Sequence, residues 1–386
     1  MHTSTHNKTN ESKTNESKTN ESKTNESKTN ESKTNESKTN ELLRLDFNEN
    51  SLGMSDSAKE AILNALGGAA RYPDKPRAQL LSKVAEINGV PEKQVLLGNG
   101  SIESIRAVVQ MLYDKALKTD KGFQLVIPDP TFGCAELYAH SLGVPVVKVP
   151  LTRDNYDLDF DNLQKAAAEF DGMSLFYLCN PNNPTAIITA TDTLKAWIKN
   201  APKNHYFLLD EAYFGYVTDP SFESGVEWIK QGLSDNLIVV RTFSKLFGLA
   251  GLRVGYAIGH PQIIAEIGSL MSTDNINVSG AVAAIATLED EAFLAHSLQT
   301  TNQARQMMET ALDELGLRYL PSQTNFMFYE VKGDVQTYID RMKEHGIAVG
   351  REFPSIPGFN RITLGTPEEM TVVIDTLQLF RKQGWV

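Results

Sequence analysis

Cysteine is scarce in this chain: Cys134 and Cys179 are the only two in 386 residues. Two thiols give no disulfide framework, and a reducing cytoplasm is the simplest compartment for them. Seven histidines lie scattered without metal-ligand spacing, and His2 and His6 fall in the amino-terminal tail, so no metal is implied. Positive charge is also short, with 37 lysines and arginines against 48 aspartates and glutamates and a formal net charge of −11. That balance argues against nucleic acid or an anionic membrane as a partner. No apolar run is long enough to span a membrane, and none resembles a signal peptide.

Residues 9–38 lack apolar side chains altogether, being six identical copies of Thr-Asn-Glu-Ser-Lys, with a partial copy at Thr39-Asn40-Glu41. A polar period of five matches neither helix nor strand, so residues 1–41 are expected to be a disordered tail without activity of its own. Its lysines and glutamates cancel, which leaves the acidic surplus to the rest of the chain.

Beyond the tail the chain is long enough to bury a sizeable core. Strand-like runs start near residues 94, 123, 144, 174, 206, 237 and 253, most of them separated by helical stretches. This pattern predicts an α/β fold with a largely parallel sheet between helices, followed from about residue 276 by a smaller α/β lobe. In that lobe strands are expected near 326, 347 and 361, and a last helix from about 367. The expected division is an arm at 42–71 packing with the small domain, a large domain at 72–275 and a small one at 276–386.

The most informative segment is Arg241-Thr242-Phe243-Ser244-Lys245, at a strand-to-loop junction, with Arg253 downstream. A lysine forms an imine only when unprotonated, and a partly desolvated site beside another cation lowers its pKa. Arg253 is such a cation, and its planar fork with the Thr242 and Ser244 hydroxyls suits a phosphate. A carbonyl cofactor with a phosphate is implied, namely pyridoxal phosphate. Upstream, the apolar run Leu175–Cys179 meets Asn180-Pro181-Asn182-Asn183-Pro184, and Tyr206–Leu209 ends in Asp210-Glu211-Ala212-Tyr213. In an open α/β sheet the reactive groups gather at the carboxyl ends of strands, which is where Asn183, Asp210, Tyr213 and Lys245 all fall. Leu96-Leu97-Gly98-Asn99-Gly100-Ser101-Ile102 reads as strand, glycine turn and helix start, a geometry whose amides favour an anion.

Together these motifs resemble the fold-type I pyridoxal-phosphate aminotransferases, and within them the histidinol-phosphate aminotransferase-like branch, over roughly residues 42–386. The resemblance implies a seven-stranded large domain and a smaller carboxy-terminal α/β domain. It gives Lys245 the covalent attachment of the cofactor, and Asp210 the pairing with the pyridine nitrogen. Asn183 and Tyr213 would bond the phenolic oxygen, and Phe132 would stack on the ring. Thr242, Ser244, Arg253 and the amides of Gly100, Ser101 and Ile102 would bind the phosphate, joined across a homodimer interface by Tyr72. Arg361 would anchor the anionic end of the substrate beside Asn183, with Asn48 in an amino-terminal gate, while Asn325 has a capping or a site role open to it. The chain departs from the pattern at Phe132, where tyrosine is commoner, at Ala186, usually glycine, and at Ser51, often proline. The activity implied is transfer of an amino group from histidinol phosphate or an aromatic-type amino acid to a 2-oxo acid such as 2-oxoglutarate. The freed Lys245 would move the α-proton. A threonine-phosphate decarboxylase-like lyase and a non-catalytic member are the alternatives on the same scaffold.

Overall fold

The computed structural model describes residues 42–386, and the disordered tail expected for residues 1–41 lies outside the described residues. From the amino end, strand β1 (Leu43–Arg44) and helices α1 (Asp56–Ala65) and α2 (Asp74–Asn88) precede the main sheet. Strand β2 (Val95–Gly98), helix α3 (Ser101–Thr119), β3 (Gly122–Asp129), α4 (Cys134–Ser141), β4 (Val146–Pro150) and α5 (Phe160–Ala168) follow. Next come β5 (Gly172–Cys179), α6 (Thr191–Asn200), β6 (His205–Asp210), α7 (Gly225–Lys230), β7 (Leu237–Thr242) and β8 (Gly255–Gly259). Helices α8 (Pro261–Gly268), α9 (Val278–Glu289) and α10 (Glu291–Leu315) lead to β9 (Phe326–Glu330), α11 (Val335–Glu344), β10 (Ile347–Ala348), β11 (Phe359–Thr363) and α12 (Pro367–Lys382).

The main sheet has seven strands in the order β2-β8-β7-β6-β5-β3-β4, with β8 antiparallel to both neighbours and every other pair within β7-β6-β5-β3-β4 parallel. Its central strands are buried at every position, as expected of strands covered on both faces. Alternation along β5 distributes side chains between two cores. Phe176 and Leu178 join Phe207, Leu209 and Val239 on one face, while Leu175, Tyr177 and Cys179 join Leu208 and Val240 on the other.

A third core gathers α10, α11 and α12 around β9 and β11, which pair antiparallel with Arg361 opposite Phe328. The strand expected near 347 forms, but it pairs in parallel with β1 of the arm and not with β9 or β11. Leu45 continues that arm, donating to Ala348 O at 2.9 Å and accepting from Thr363 N at 2.9 Å. Arm and carboxy-terminal strands are thereby tied by backbone hydrogen bonds, and α1 then packs on α9. Among the described residues no helix is long and apolar enough to cross a membrane.

Candidate active site

All the motif residues that follow strands arrive at one edge of the sheet. Parallel β5, β6 and β7 end there at Cys179, Asp210 and Thr242, and antiparallel β8 begins there at Gly255. Lys245 lies half-buried in the loop after β7, its Nζ donating to the carbonyls of Phe47 and Asn48, both at 3.0 Å. The arm clasps this loop at two further points. Asn50 Nδ2 donates to Leu246 O at 3.0 Å, and the carbonyl of Gly53 rests where a Cβ on Gly248 (φ 70°) would collide with it. The Lys245 amine is pulled down to about 8, first by burial, then by the Arg361 guanidinium, with a smaller push from Arg253, while Glu49 and Asp210 act the other way. The sequence pointed to Arg253 as the neighbouring cation; Arg361 acts more strongly because β11 carries it to this edge from far along the chain.

Asp210 closes β6, 2 % exposed. Its Oδ2 accepts from the Tyr177 hydroxyl at 2.8 Å and its Oδ1 from Ala212 N at 3.1 Å. Burial pushes the carboxyl up to about 6, and the two hydrogen bonds and Lys245 restrain the rise. Tyr213, also buried, accepts from Asn48 Nδ2 at 3.0 Å and packs edge-on against Phe326. Asn48 is itself buried, with a left-handed backbone (φ 55°), and its amide donates to Thr363 Oγ1 at 2.9 Å.

The two adjacent asparagines after β5 divide the work. Asn182 pins the loop, accepting from Thr131 Oγ1 at 2.8 Å and donating to Thr185 Oγ1 at 3.0 Å. Asn183 instead accepts from Arg361 Nη1 at 2.6 Å. Arg361 also donates to Asp46 O at 2.6 Å, sits between the rings of Phe326 and Phe353, and leaves its buried Nε without a partner. Ala186 holds the left-handed conformation usually given to glycine (φ 65°), fully buried, at a cost of about 1–2 kcal/mol. Its amide donates to Asn182 O and its carbonyl accepts from Gln323 N, both at 2.8 Å.

A cup for an anion lies at the start of α3. Gly100 is the N-cap (φ 75°, ψ 170°), with no side chain bonding the first amides, so those of Ser101 and Ile102 stay available. Arg253 donates to Ala250 O at 2.8 Å and reaches Ser244 Oγ at 3.4 Å, and Thr242 Oγ1 donates to Ser244 Oγ at 2.8 Å. A Cβ added to Gly100 would run into the Arg253 guanidinium. Replacing Gly100 with alanine therefore both strains the backbone and displaces the arginine. Cofactor affinity should fall at least about tenfold, the equivalent of 1.4 kcal/mol, in a titration followed by absorbance. Unchanged affinity would remove Gly100 from the cup.

Of the remaining expected residues, Phe132 is half-buried in the turn after β3 and packs on the core that holds Tyr213. Tyr72 is 77 % exposed and makes no side-chain hydrogen bond among the described residues. Asn325 holds the arm, donating to Asn48 O at 3.1 Å and Glu49 O at 3.3 Å. Sequence reasoning passed over Tyr177 and Asp46. Tyr177 carried one signal, a hydroxyl within the apolar run Leu175–Cys179 on the same face as Cys179; Asp46 acts on Arg361 through its backbone carbonyl and carried none.

A glycine cradle, an uncapped helix start, an arginine and two hydroxyls beside a depressed lysine and a buried carboxylate fit a phosphorylated pyridine aldehyde. The sequence profile of the family "Aminotransferase class I and II" matches residues 40–377. The chain belongs to the class I and II aminotransferases. It is 32 % identical to a histidinol-phosphate aminotransferase of Moorella thermoacetica over 87 % of this chain and 85 % of that protein. For the one from Brevibacillus brevis the figures are 34 %, 87 % and 90 %. A crystal structure from Erwinia carotovora atroseptica superposes with a TM-score of 0.85 at 40 % identity, covering 89 % of this chain and 97 % of that one. The histidinol-phosphate aminotransferase of Sinorhizobium meliloti in complex with pyridoxal-5'-phosphate gives 0.79 at 25 %, covering 89 % and 92 %. This aminotransferase thus has the fold-type I architecture, with the mostly parallel seven-stranded sheet expected from its sequence.

Proposed function

We propose that this aminotransferase takes histidinol phosphate as its amino donor and a 2-oxo acid such as 2-oxoglutarate as acceptor. The observation that carries the reading is the half-buried Arg361 guanidinium, bonded to Asn183 at 2.6 Å and close enough to Lys245 to depress its amine. It is an anion receptor beside the reacting nitrogen. The full-length likeness to histidinol-phosphate aminotransferases supports the same donor.

The cofactor is pyridoxal 5'-phosphate. When bound, it withdraws electrons from the substrate α-carbon. Lys245 would hold it covalently and, as a free amine, would carry the α-proton as general base and acid. Asp210 would pair with the ring nitrogen, Asn183 and Tyr213 would bond its phenolic oxygen, and Phe132 would stack on the ring, keeping the π-surface without tyrosine's hydroxyl. Thr242, Ser244, Arg253 and the amides of Gly100, Ser101 and Ile102 would hold the phosphate. The carbonyls of Phe47 and Asn48 keep the free amine in place between attachments, and Asn48 also orients Tyr213. Exposure of Tyr72 suits a reach into the phosphate cup of a second subunit in a homodimer. The two free cysteines, one of them buried, suit a cytoplasmic enzyme.

Single-turnover absorbance on the loaded protein tests the donor. Histidinol phosphate should convert the lysine-bound cofactor to its aminated form, and 2-oxoglutarate should restore it. Conversion by phenylalanine alone would transfer the reading to an aromatic amino acid, and carbon dioxide from threonine phosphate would turn it to a lyase.

The amine at about 8 has a consequence of its own. A lysine is reactive only when neutral, so capture of the cofactor by cofactor-free protein should accelerate about tenfold per pH unit below 8 and level off above it. Arg361→Gln removes a cation that disfavours the protonated amine, so the midpoint should move to higher pH in stopped-flow traces. A midpoint that stays put would clear Arg361 of that influence.

A further inference from the structure

The carboxylate of Asp210 has one side-chain hydrogen-bond donor, the Tyr177 hydroxyl at 2.8 Å. Tyr177 projects from β5, the neighbouring strand, and is fully buried in the core shared with Tyr213 and Cys179. A phenylalanine would fill this space equally well, and a buried hydroxyl is costly unless it is bonded. The hydroxyl is therefore aimed.

Its target is the acid that, on the reading above, pairs with the cofactor's ring nitrogen. A proton lies between those two atoms, and the relative basicity of oxygen and nitrogen decides which holds it. The titratable groups around the carboxyl are Tyr177 and Cys179 from β5, Cys134 from α4, Glu211 and Tyr213 beyond β6, and Lys245 beyond β7. Only Lys245 among them is a cation, and it is occupied once it holds the cofactor. We infer that Tyr177 is a positioning residue: its hydrogen bond keeps Asp210 the weaker base, so that the shared proton stays on the ring nitrogen.

The direction follows from the hydrogen bond. A donor to a carboxylate stabilises its charged form, and here it opposes a burial effect that already leaves the carboxyl raised to about 6. Without the donor the carboxyl rises further and takes the proton. The ring nitrogen, left neutral, withdraws fewer electrons from the substrate.

The inference rests on the proposed pairing of Asp210 with the ring nitrogen, and the experiment separates the two. Tyr177→Phe and Asp210→Asn are loaded with cofactor labelled with nitrogen-15 at the ring, and its chemical shift is followed by NMR. Tyr177→Phe should move the shift toward that of an unprotonated ring, and kcat/KM should fall about 10- to 100-fold, carried mostly by kcat, for loss of a hydrogen bond to a charged group. If Asp210→Asn moves the nitrogen and Tyr177→Phe does not, the role of Tyr177 is overturned and the pairing stands. If neither moves it, the pairing falls and the inference with it. Should Tyr177→Phe not fold, difluorotyrosine installed at position 177 alone gives a stronger donor and must raise the pH at which the ring nitrogen loses its proton; an unchanged pH overturns the inference.

Discussion

Replacing Lys245 with alanine should lower turnover at least about ten-thousand-fold while leaving the fold in place. The functional loss is large because, in the proposed mechanism, one amine both attaches the cofactor and moves the α-proton, and no second lysine is among the groups that act on Asp210. The structural loss is small because the side chain lies in a loop and serves only two carbonyls. Of these, Asn48 O keeps a donor in Asn325 Nδ2 at 3.1 Å. Only Phe47 O loses its side-chain partner, and Phe47 is exposed enough for water to replace it. The melting temperature of cofactor-free protein should therefore shift by no more than a few degrees, and added small amines should restore part of the proton transfer. A variant retaining a tenth of the activity would show that another group carries the proton.

The second large effect is on stability. Glu211→Ala should cost about 3–5 kcal/mol, the range for removing one member of a buried ion pair. Glu211 is 2 % exposed and accepts from Arg241 Nε at 3.0 Å and Nη2 at 2.8 Å. Its other oxygen takes the amide of Gly225 at 2.7 Å, and Ser224 Oγ bonds both oxygens. Arg241 has further support from Asn88 Oδ1 at 2.8 Å and the face of Phe214, its guanidinium 3.6 Å from the ring centroid. Losing the glutamate strands a buried guanidinium together with a backbone amide. Chemical unfolding at equal protein and cofactor concentration measures the loss. Replacing both partners by apolar residues, Glu211→Leu with Arg241→Met, should recover most of it, since no charge is then left unpaired. A loss below about 1 kcal/mol for the single variant would mean that water reaches the arginine. Because Glu211 adjoins Asp210 and Arg241 adjoins Thr242, the pair also sets the spacing of the strand ends that carry the site, and weakened cofactor binding should accompany the loss.

Much of the site was legible because its residues lie where local patterns change. The β5 and β6 runs stop at Asn180-Pro181 and at Asp210-Glu211, and β7 stops at Thr242 before Lys245; fully buried parallel strands have to break off at polar residues at the sheet edge. The glycine turn before α3 was legible for the same reason. Ala186 shows the limit of such reading. A side chain disfavours the left-handed conformation that glycine adopts freely, yet Ala186 keeps it, with hydrogen bonds from its amide and to its carbonyl holding it there.

What the sequence determined by itself was therefore local: the strands, the helix starts, and the residue types standing at the strand ends. Tertiary structure decided which distant groups meet them. The arm reaches Lys245 through the carbonyls of Phe47 and Asn48, β1 takes β10 as its partner, Arg361 outranks Arg253 beside the amine, and Tyr177 finds Asp210 on the neighbouring strand. Hydrophobic periodicity reports which face of an element is buried but not what it is buried against. Backbone carbonyls, which every residue carries, leave no mark in a sequence at all.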